Sequence, residues 1–126
     1  MDKNNILIQL SESDRTDYGR VDFSAQSQHQ QVFSAIWSIE SQVNSGGFES
    51  FFEYEDPLLV AFTPEALRAI GAVNCAGIVD RAISAGSGSL DELDAEFYDY
   101  PDDLTDLLYK YVYANPATFG PVSGGA

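Results

Sequence analysis

Basic residues are scarce in this sequence. Six lysines and arginines stand against twenty aspartates and glutamates in 126 residues, which gives a net charge of −14. Such a charge repels DNA, RNA and anionic membranes and attracts basic surfaces. A disordered acidic tail is excluded, because 44% of the residues are hydrophobic and 13% are aromatic. We expect a folded protein that binds neither nucleic acid nor membranes directly and faces a protein with a basic groove.

Cysteine is scarce in the sequence, and long apolar runs are absent. Cys75 is the only cysteine, which excludes an intrachain disulfide, and its apolar neighbours predict an inert, buried thiol. No apolar run approaches the roughly 20 residues of a membrane span, and the N-terminus lacks the apolar region of a signal peptide. We expect a cytoplasmic, single acidic helical domain at residues 1–119, poorly defined over 1–22, and a disordered tail at 120–126.

The residues that catalysis needs are nearly absent. His29 is the only histidine, and its polar neighbours predict an exposed helical residue. The sequence contains no nucleophile motif, phosphate-binding glycine loop or HExxH zinc pattern. The acids lack the alternating spacing and central glycine of an EF-hand loop, so a calcium site is disfavoured. We expect no enzymatic activity, no metal and no cofactor.

Hydrophobic periodicity predicts an all-α fold, since little of the sequence alternates with a period of two. An apolar stripe predicts a helix over about residues 25–44, capped by Ser24 and stopped by the segment Asn44-Ser45-Gly46-Gly47. Three phenylalanines then predict a short second helix: Phe48, Phe51 and Phe52. Residues 57–62 are expected to form a partly buried connector.

The next segment is the most apolar. Thr63, Pro64 and Glu65 have the pattern of a helix start, and the helix is expected to run over residues 64–85. We predict a compact bundle of about five helices around this central helix, followed by a flexible link at 86–89. Residues 90–114 are helical by pattern, and Pro101 either kinks one helix or begins a second.

Eight acids lie between residues 91 and 106, with no basic residue among them. On one helix at 100° per residue, all except Asp94 share a face opposite an apolar face. We therefore predict that carboxylates here mimic phosphates and bind a partner. The predicted contact residues are Asp91, Glu92, Glu96, Asp99, Asp102, Asp103 and Asp106, supported by Glu49, Glu53, Glu55 and Asp56.

The density of charge limits this prediction. Duplex DNA carries one charge per about 1.7 Å, whereas eight acids in sixteen helical residues give one per about 3 Å. The second acidic cluster, at residues 49–56, or a second subunit would bring the density closer. The alternative is a generic helical protein-protein interaction module with a solvated acidic surface, although such surfaces usually place Lys or Arg at i+4.

The segment Val-Asn-Ser-Gly-Gly-Phe at 43–48, followed by Phe51 and Phe52, resembles the hallmark of the bacterial DNA-mimic protein family, which contains small acidic helical proteins. Residues 64–72, 81–82 and 93–98 are similar to that family too, and the resemblance covers about residues 24–119. The sequence departs from the family at three positions. The family often has Asn at the position of Ser45, Gln at the position of Ser50 and Asn at the position of Glu53. Glu53 adds charge, which is compatible with mimicry.

The resemblance implies an all-α domain that occupies the DNA-binding surface of another protein. The partner it implies is a transcription regulator, or a phage-defence complex such as CRISPR surveillance or restriction machinery, so that the protein would act as an anti-CRISPR or similar inhibitor. A homodimer would extend the charged surface. The generic interaction module remains the alternative.

Overall fold

The computed structural model describes residues 2–85 and 90–122, and all regular secondary structure within these ranges is helical, which confirms the predicted all-α class. The expected link at 86–89 and residues 123–126 of the expected tail lie outside the described residues. In the described part of the chain, no helix combines the length and apolarity that crossing a membrane requires. The helices are α1 Lys3–Glu12, a 3₁₀ turn Phe23–Ala25, α2 Gln28–Tyr54, α3 Pro57–Ala69, α4 Val73–Ala85, α5 Asp91–Tyr98, α6 Leu104–Tyr113 and α7 Pro116–Phe119.

The core is built along α2. Phe33, Ile36, Ile39 and Val43 are fully buried on one stripe of this helix, as the apolar periodicity predicts. Helices α3, α5 and α6 pack against α2, while α1 packs on α6. The predicted arrangement around a central helix at 64–85 is therefore not the one observed.

The segment 64–85 forms parts of two helices, and Gly71 separates them. Its φ of +89° is in the left-handed region, where glycine has no steric penalty. The Ala72 N–H donates to the Leu67 carbonyl at 2.8 Å, and the Gly71 N–H donates to the Arg68 carbonyl at 3.0 Å. This pair of bonds is the Schellman motif that ends helices. The prediction of one helix was wrong because the apolar pattern continues through the turn.

Helix α3 begins before the predicted start at Pro64. Asp56 caps it by accepting from the Leu58 N–H at 2.9 Å, and Pro57 occupies the first turn. Pro64 lies inside the helix, and the neighbouring Thr63 hydroxyl donates to the Leu59 carbonyl at 2.7 Å. Residues 57–62 are thus helical rather than a connector, because the buried Leu59 stripe offsets the cost of an internal proline.

Helix α2 begins later than predicted and bends where predicted. Ser27, rather than Ser24, caps it through the Gln30 N–H. Gly46 and Gly47 leave helical geometry, with φ values of −155° and +74°, which confirms the predicted stop. The residues after Gly47 resume as a helical segment, residues 48–54, as the three phenylalanines predict.

The first residues, within the segment 1–22 that the sequence left poorly defined, form α1. The Asp2 carboxylate accepts from the Asn5 N–H at 2.8 Å and supplies the N-cap. Ile6, Leu7 and Leu10 are buried, so this helix contributes to the core.

Candidate partner-binding surface

The acidic run, residues 91–106, contains the whole of one helix, a short connecting segment and the first residues of a second helix. Helix α5 ends at Tyr98 and α6 begins at Leu104. Between them Tyr100 has a φ of +55°, a left-handed conformation that is uncommon for a residue with a side chain. The projection that placed all of these acids except Asp94 on the face of one helix does not hold across this break. Of the two alternatives at Pro101, the structure has two separate helices.

The Gly-Gly-Phe hallmark fixes α5 against α2. The Phe48 N–H, at the start of the second segment of α2, donates to Asp94 Oδ1 at 2.8 Å. A Cβ on Gly47 would lie 2.5 Å from Asp94 Oδ2, so only glycine allows this approach. Four residues along α5, the Tyr98 hydroxyl donates to the Val43 carbonyl at 2.7 Å.

These contacts set an antiparallel register between α5 and α2. Asp94 contacts Phe48 and Tyr98 contacts Val43, so the two helices run in opposite directions. The first turn of α5, with Asp91 and Glu92, therefore lies beside the segment that begins at Phe48. The structure thus brings the two predicted acidic groups, 91–106 and 49–56, to neighbouring elements.

Five of the eleven predicted contact residues are exposed, and their carboxylates form no hydrogen bond or ion pair with another described residue. Because their carboxylates have no role in the fold, they are available to a partner without breaking an internal bond. Glu55 is half-buried and accepts one hydrogen bond, at 3.3 Å, from the Gln42 amide. We call the five the free acids: Glu49, Glu53, Asp91, Glu92 and Asp99.

Three predicted contact residues cap helices instead. Asp102 accepts from the Cys75 N–H at 2.7 Å, in the first turn of α4, and so caps a helix remote in sequence. Asp103 caps α6 and Asp56 caps α3. A side-chain cap is worth about 1 kcal/mol, so these carboxylates contribute to stability.

Two further predicted residues are in ion pairs. Asp106 pairs with both Lys3 and Lys110, and the hydrogen bond from Lys3 is the main cause that lowers the pKa of Asp106. Glu96 pairs with Arg81 through both carboxylate oxygens. Each of these acids carries a neighbouring positive charge and presents less of its own charge to a partner.

All six cations are engaged within the molecule. Lys3, Arg68, Arg81 and Lys110 are in ion pairs. Arg15 donates to backbone carbonyls near the C-terminus, including that of Phe119 at 2.6 Å, and Arg20 donates to those of Glu12 and Ser13. Exposed ion pairs stabilise a fold only weakly, and because these cations are already engaged, the free acids remain uncompensated.

One acidic contact was not foreseen from the sequence. The Tyr100 hydroxyl lies 3.4 Å from Glu40 Oε1 and 3.4 Å from Asp103 Oδ1. Burial raises the pKa of Glu40, and the hydrogen bond from Tyr100 opposes that shift. No local pattern predicts this contact, because the Glu40 side chain meets its partners only through the tertiary fold.

Cys75 and His29 lie as the sequence predicts. Cys75 is buried, and burial, reinforced by the charge of Asp102, raises its pKa to about 12, so the reactive thiolate is negligible at neutral pH. His29 is exposed, and its Nδ1 lies 3.0 Å from the Thr118 hydroxyl. Among the described residues, no group of acids, histidine and cysteine is placed to hold a metal ion.

A comparison with protein families identifies the family of this chain. A family model described as DMP19-like protein matches residues 24–115. The chain belongs to the DMP19-like protein family. This confirms the predicted family, and the match includes the hallmark at 43–48, which fixes α5 on α2. Searches of curated proteins and of solved structures returned no match.

Proposed function

We propose that this protein inhibits a nucleic-acid-binding protein by occupying its basic surface. The observation that carries the proposal is the set of five free acids on adjoining elements of a molecule whose cations are all engaged. Their carboxylates would stand in for phosphates and pair with Lys and Arg of the partner. Membership of the DMP19-like family supports this role.

The structure divides the predicted contact residues by availability. A carboxylate that caps a helix must keep its internal bond, whereas a free acid loses only water when it binds. We therefore assign direct contacts to the free acids and long-range attraction to the other six. The latter are Glu55, Asp56, Glu96, Asp102, Asp103 and Asp106.

We propose the class of the target protein rather than an individual target. A transcription regulator or a phage-defence complex, such as CRISPR surveillance or restriction machinery, presents the required basic groove. The proposal expects the protein in the cytoplasm, where such partners contact nucleic acid. A homodimer would extend the acidic surface, and sedimentation at low and high salt tests this.

The experiment compares two variants with the same change in net charge. In the first, four free acids become amides: Glu49→Gln, Asp91→Asn, Glu92→Gln and Asp99→Asn. In the control, four exposed acids elsewhere, whose carboxylates also form no hydrogen bond or ion pair with a described residue, are changed in the same way: Glu12→Gln, Asp14→Asn, Asp22→Asn and Glu65→Gln.

Immobilised wild-type protein is used to capture partners from a bacterial lysate at low salt, followed by elution with duplex DNA. We expect a DNA-binding protein that DNA elutes, whose affinity falls steeply with salt. The free-acid variant should lose most of this capture and the control should keep it. Equal loss in both variants would contradict a defined surface, and capture that is indifferent to salt and DNA would support the generic interaction module.

A further inference from the structure

The corner between α2 and α3 exposes two large apolar side chains. Tyr54, the last residue of α2, is 70% exposed, and Leu58, in the first turn of α3, is 58% exposed. The intervening residues include Glu55 and Asp56. Exposed apolar side chains mark an interaction site when they form a contiguous patch with a polar rim, and only three residues separate Tyr54 from Leu58.

The backbone of this corner is held in place on both sides. The Glu55 N–H donates to the Phe51 carbonyl at 3.1 Å, and Asp56 accepts from the Leu58 N–H at 2.9 Å. Phe51 is fully buried beneath the corner. Because the backbone is already ordered, presenting Tyr54 and Leu58 to a partner costs little additional conformational entropy.

The charge around the corner has one sign. No lysine or arginine occurs between Arg20 and Arg68, a stretch that contains all of α2 and most of α3. Two of the free acids, Glu49 and Glu53, lie in the last segment of α2. A surface that covers this corner must therefore supply the positive charge itself.

We propose that Tyr54 and Leu58 form an apolar anchor that enters an apolar pocket ringed by Lys and Arg on the partner's nucleic-acid-binding surface. This rests on the proposed function and adds a contact that nucleic acid backbone does not offer. The free acids are sparser than the phosphates of a duplex, which carry about one charge per 1.7 Å. Apolar burial supplies affinity that salt does not screen, and tyrosine is enriched among residues that dominate binding energy.

Two synthetic peptides with the same number of lysines test the anchor. In one, the lysines are separated by glycine and serine. In the other, leucine and phenylalanine replace the glycine and serine on one helical face. Affinity is measured by titration for the wild type, for Tyr54→Ser/Leu58→Ser, and for a control, Val73→Ser/Tyr113→Ser, which removes side chains that are 63% and 55% exposed elsewhere.

We expect the wild type and the control to bind the apolar peptide about tenfold more tightly than the polar one. The Tyr54→Ser/Leu58→Ser variant should bind both peptides equally, with its affinity for the polar peptide and its salt dependence unchanged. Amide chemical shifts of the wild type should move at residues 53–58 with the apolar peptide, a readout that does not depend on the variant's folding.

Other outcomes overturn the anchor. A preference that survives in Tyr54→Ser/Leu58→Ser, or that the control loses equally, contradicts it while leaving the electrostatic proposal intact. Binding of neither peptide to the wild type contradicts both proposals. A wild-type dimer that Tyr54→Ser/Leu58→Ser dissociates would show that a second copy occupies the corner, which also overturns the anchor.

Discussion

At the scale of single residues, Gly47 and Asp94 constrain each other. The Asp94 carboxylate caps the second segment of α2 through Phe48 and occupies the space that a Cβ on Gly47 would need. Gly47 also has a φ of +74°, which other residues adopt at a cost of about 1–2 kcal/mol. One acid of the acidic run is thus part of the scaffold rather than of the surface.

Gly47→Ala should lower the free energy of unfolding by about 2–3 kcal/mol, through backbone strain and loss of the Asp94 cap. Asp94→Ala should cost about 1 kcal/mol. The double variant should cost less than the sum, because the clash disappears with the carboxylate. Urea denaturation measures all three, and additive costs would contradict the contact.

Gly77→Ala is the control for this series. Gly77 lies inside α4 with open space where its Cβ would be. The same substitution there should stabilise the protein by about 0.5–1 kcal/mol, through helix propensity. A loss of stability at Gly77 would contradict the open space at this position.

Glu40 provides a test of pH dependence. Burial raises the pKa of Glu40 in the folded protein above the ordinary value of 4.5 that applies to the unfolded chain. At a pH between the unfolded-state and the folded-state pKa, the folded protein therefore holds a proton that the unfolded chain has released. The contribution of Glu40 to stability therefore falls as pH rises through this window. Glu40→Gln should be more stable than the wild type at pH 7, and the difference should shrink as the pH approaches 4.5.

Unfolding midpoints in urea at several pH values measure this difference. Glu49→Gln is the control, because Glu49 is exposed and its carboxylate forms no hydrogen bond or ion pair with a described residue. Its effect should vary less with pH. A constant gain for Glu40→Gln across the pH range would mean that the substitution acts through packing rather than through ionisation.

At the scale of helices, carboxylates distant in sequence replace local caps. Helix α4 starts directly after the turn at Gly71, and the Cys75 N–H in its first turn donates to Asp102 from the segment before α6. This bond ties the acidic run to a second helix, as Asp94 ties it to α2. Asp99, a free acid, lies between these two caps in the run, and the free acids Asp91 and Glu92 precede the first of them.

Asp102→Ala should lower the free energy of unfolding by about 1 kcal/mol, since it removes this cap. Asp99→Ala, three residues away, removes a free acid and should change stability by no more than about 0.5 kcal/mol. Chemical denaturation of the two variants gives the comparison. Equal effects would show that the Asp102 bond contributes nothing.

The sequence predicted elements whose signals are local. Gly46–Gly47 ends the first segment of α2 because glycine tolerates the required backbone, and the spacing of Phe48 and Phe51 predicts the next segment. Gly71 carries the same kind of signal, but the apolar pattern around it favoured one long helix. The Asp94 and Asp102 caps and the Tyr54 exposure depend on tertiary packing, and no local pattern reveals them.

At the scale of the whole molecule, the net charge of −14 opposes compaction. Raising NaCl from about 0.05 M to about 0.5 M should increase the free energy of unfolding, because salt screens this repulsion. The same salt weakens the exposed ion pairs, but pairs of this kind contribute little to stability. Thermal unfolding across this range tests the sign.

The four-amide variant of the free acids should respond less to salt than the wild type, because it has less repulsion to screen. A decrease in the wild-type melting temperature with salt would show that the ion pairs of Arg68, Arg81 and Asp106 outweigh the repulsion.

The separation of free acids from scaffold residues has an evolutionary consequence. Substitution of a free acid alters recognition without a large cost in folding, so selection by a changing partner can act on this surface almost independently. Gly47 and Asp94 have no such freedom, because a substitution of either residue lowers the stability of the fold. Lineages descended from this fold should therefore diverge in what they recognise while retaining the junction between α2 and α5.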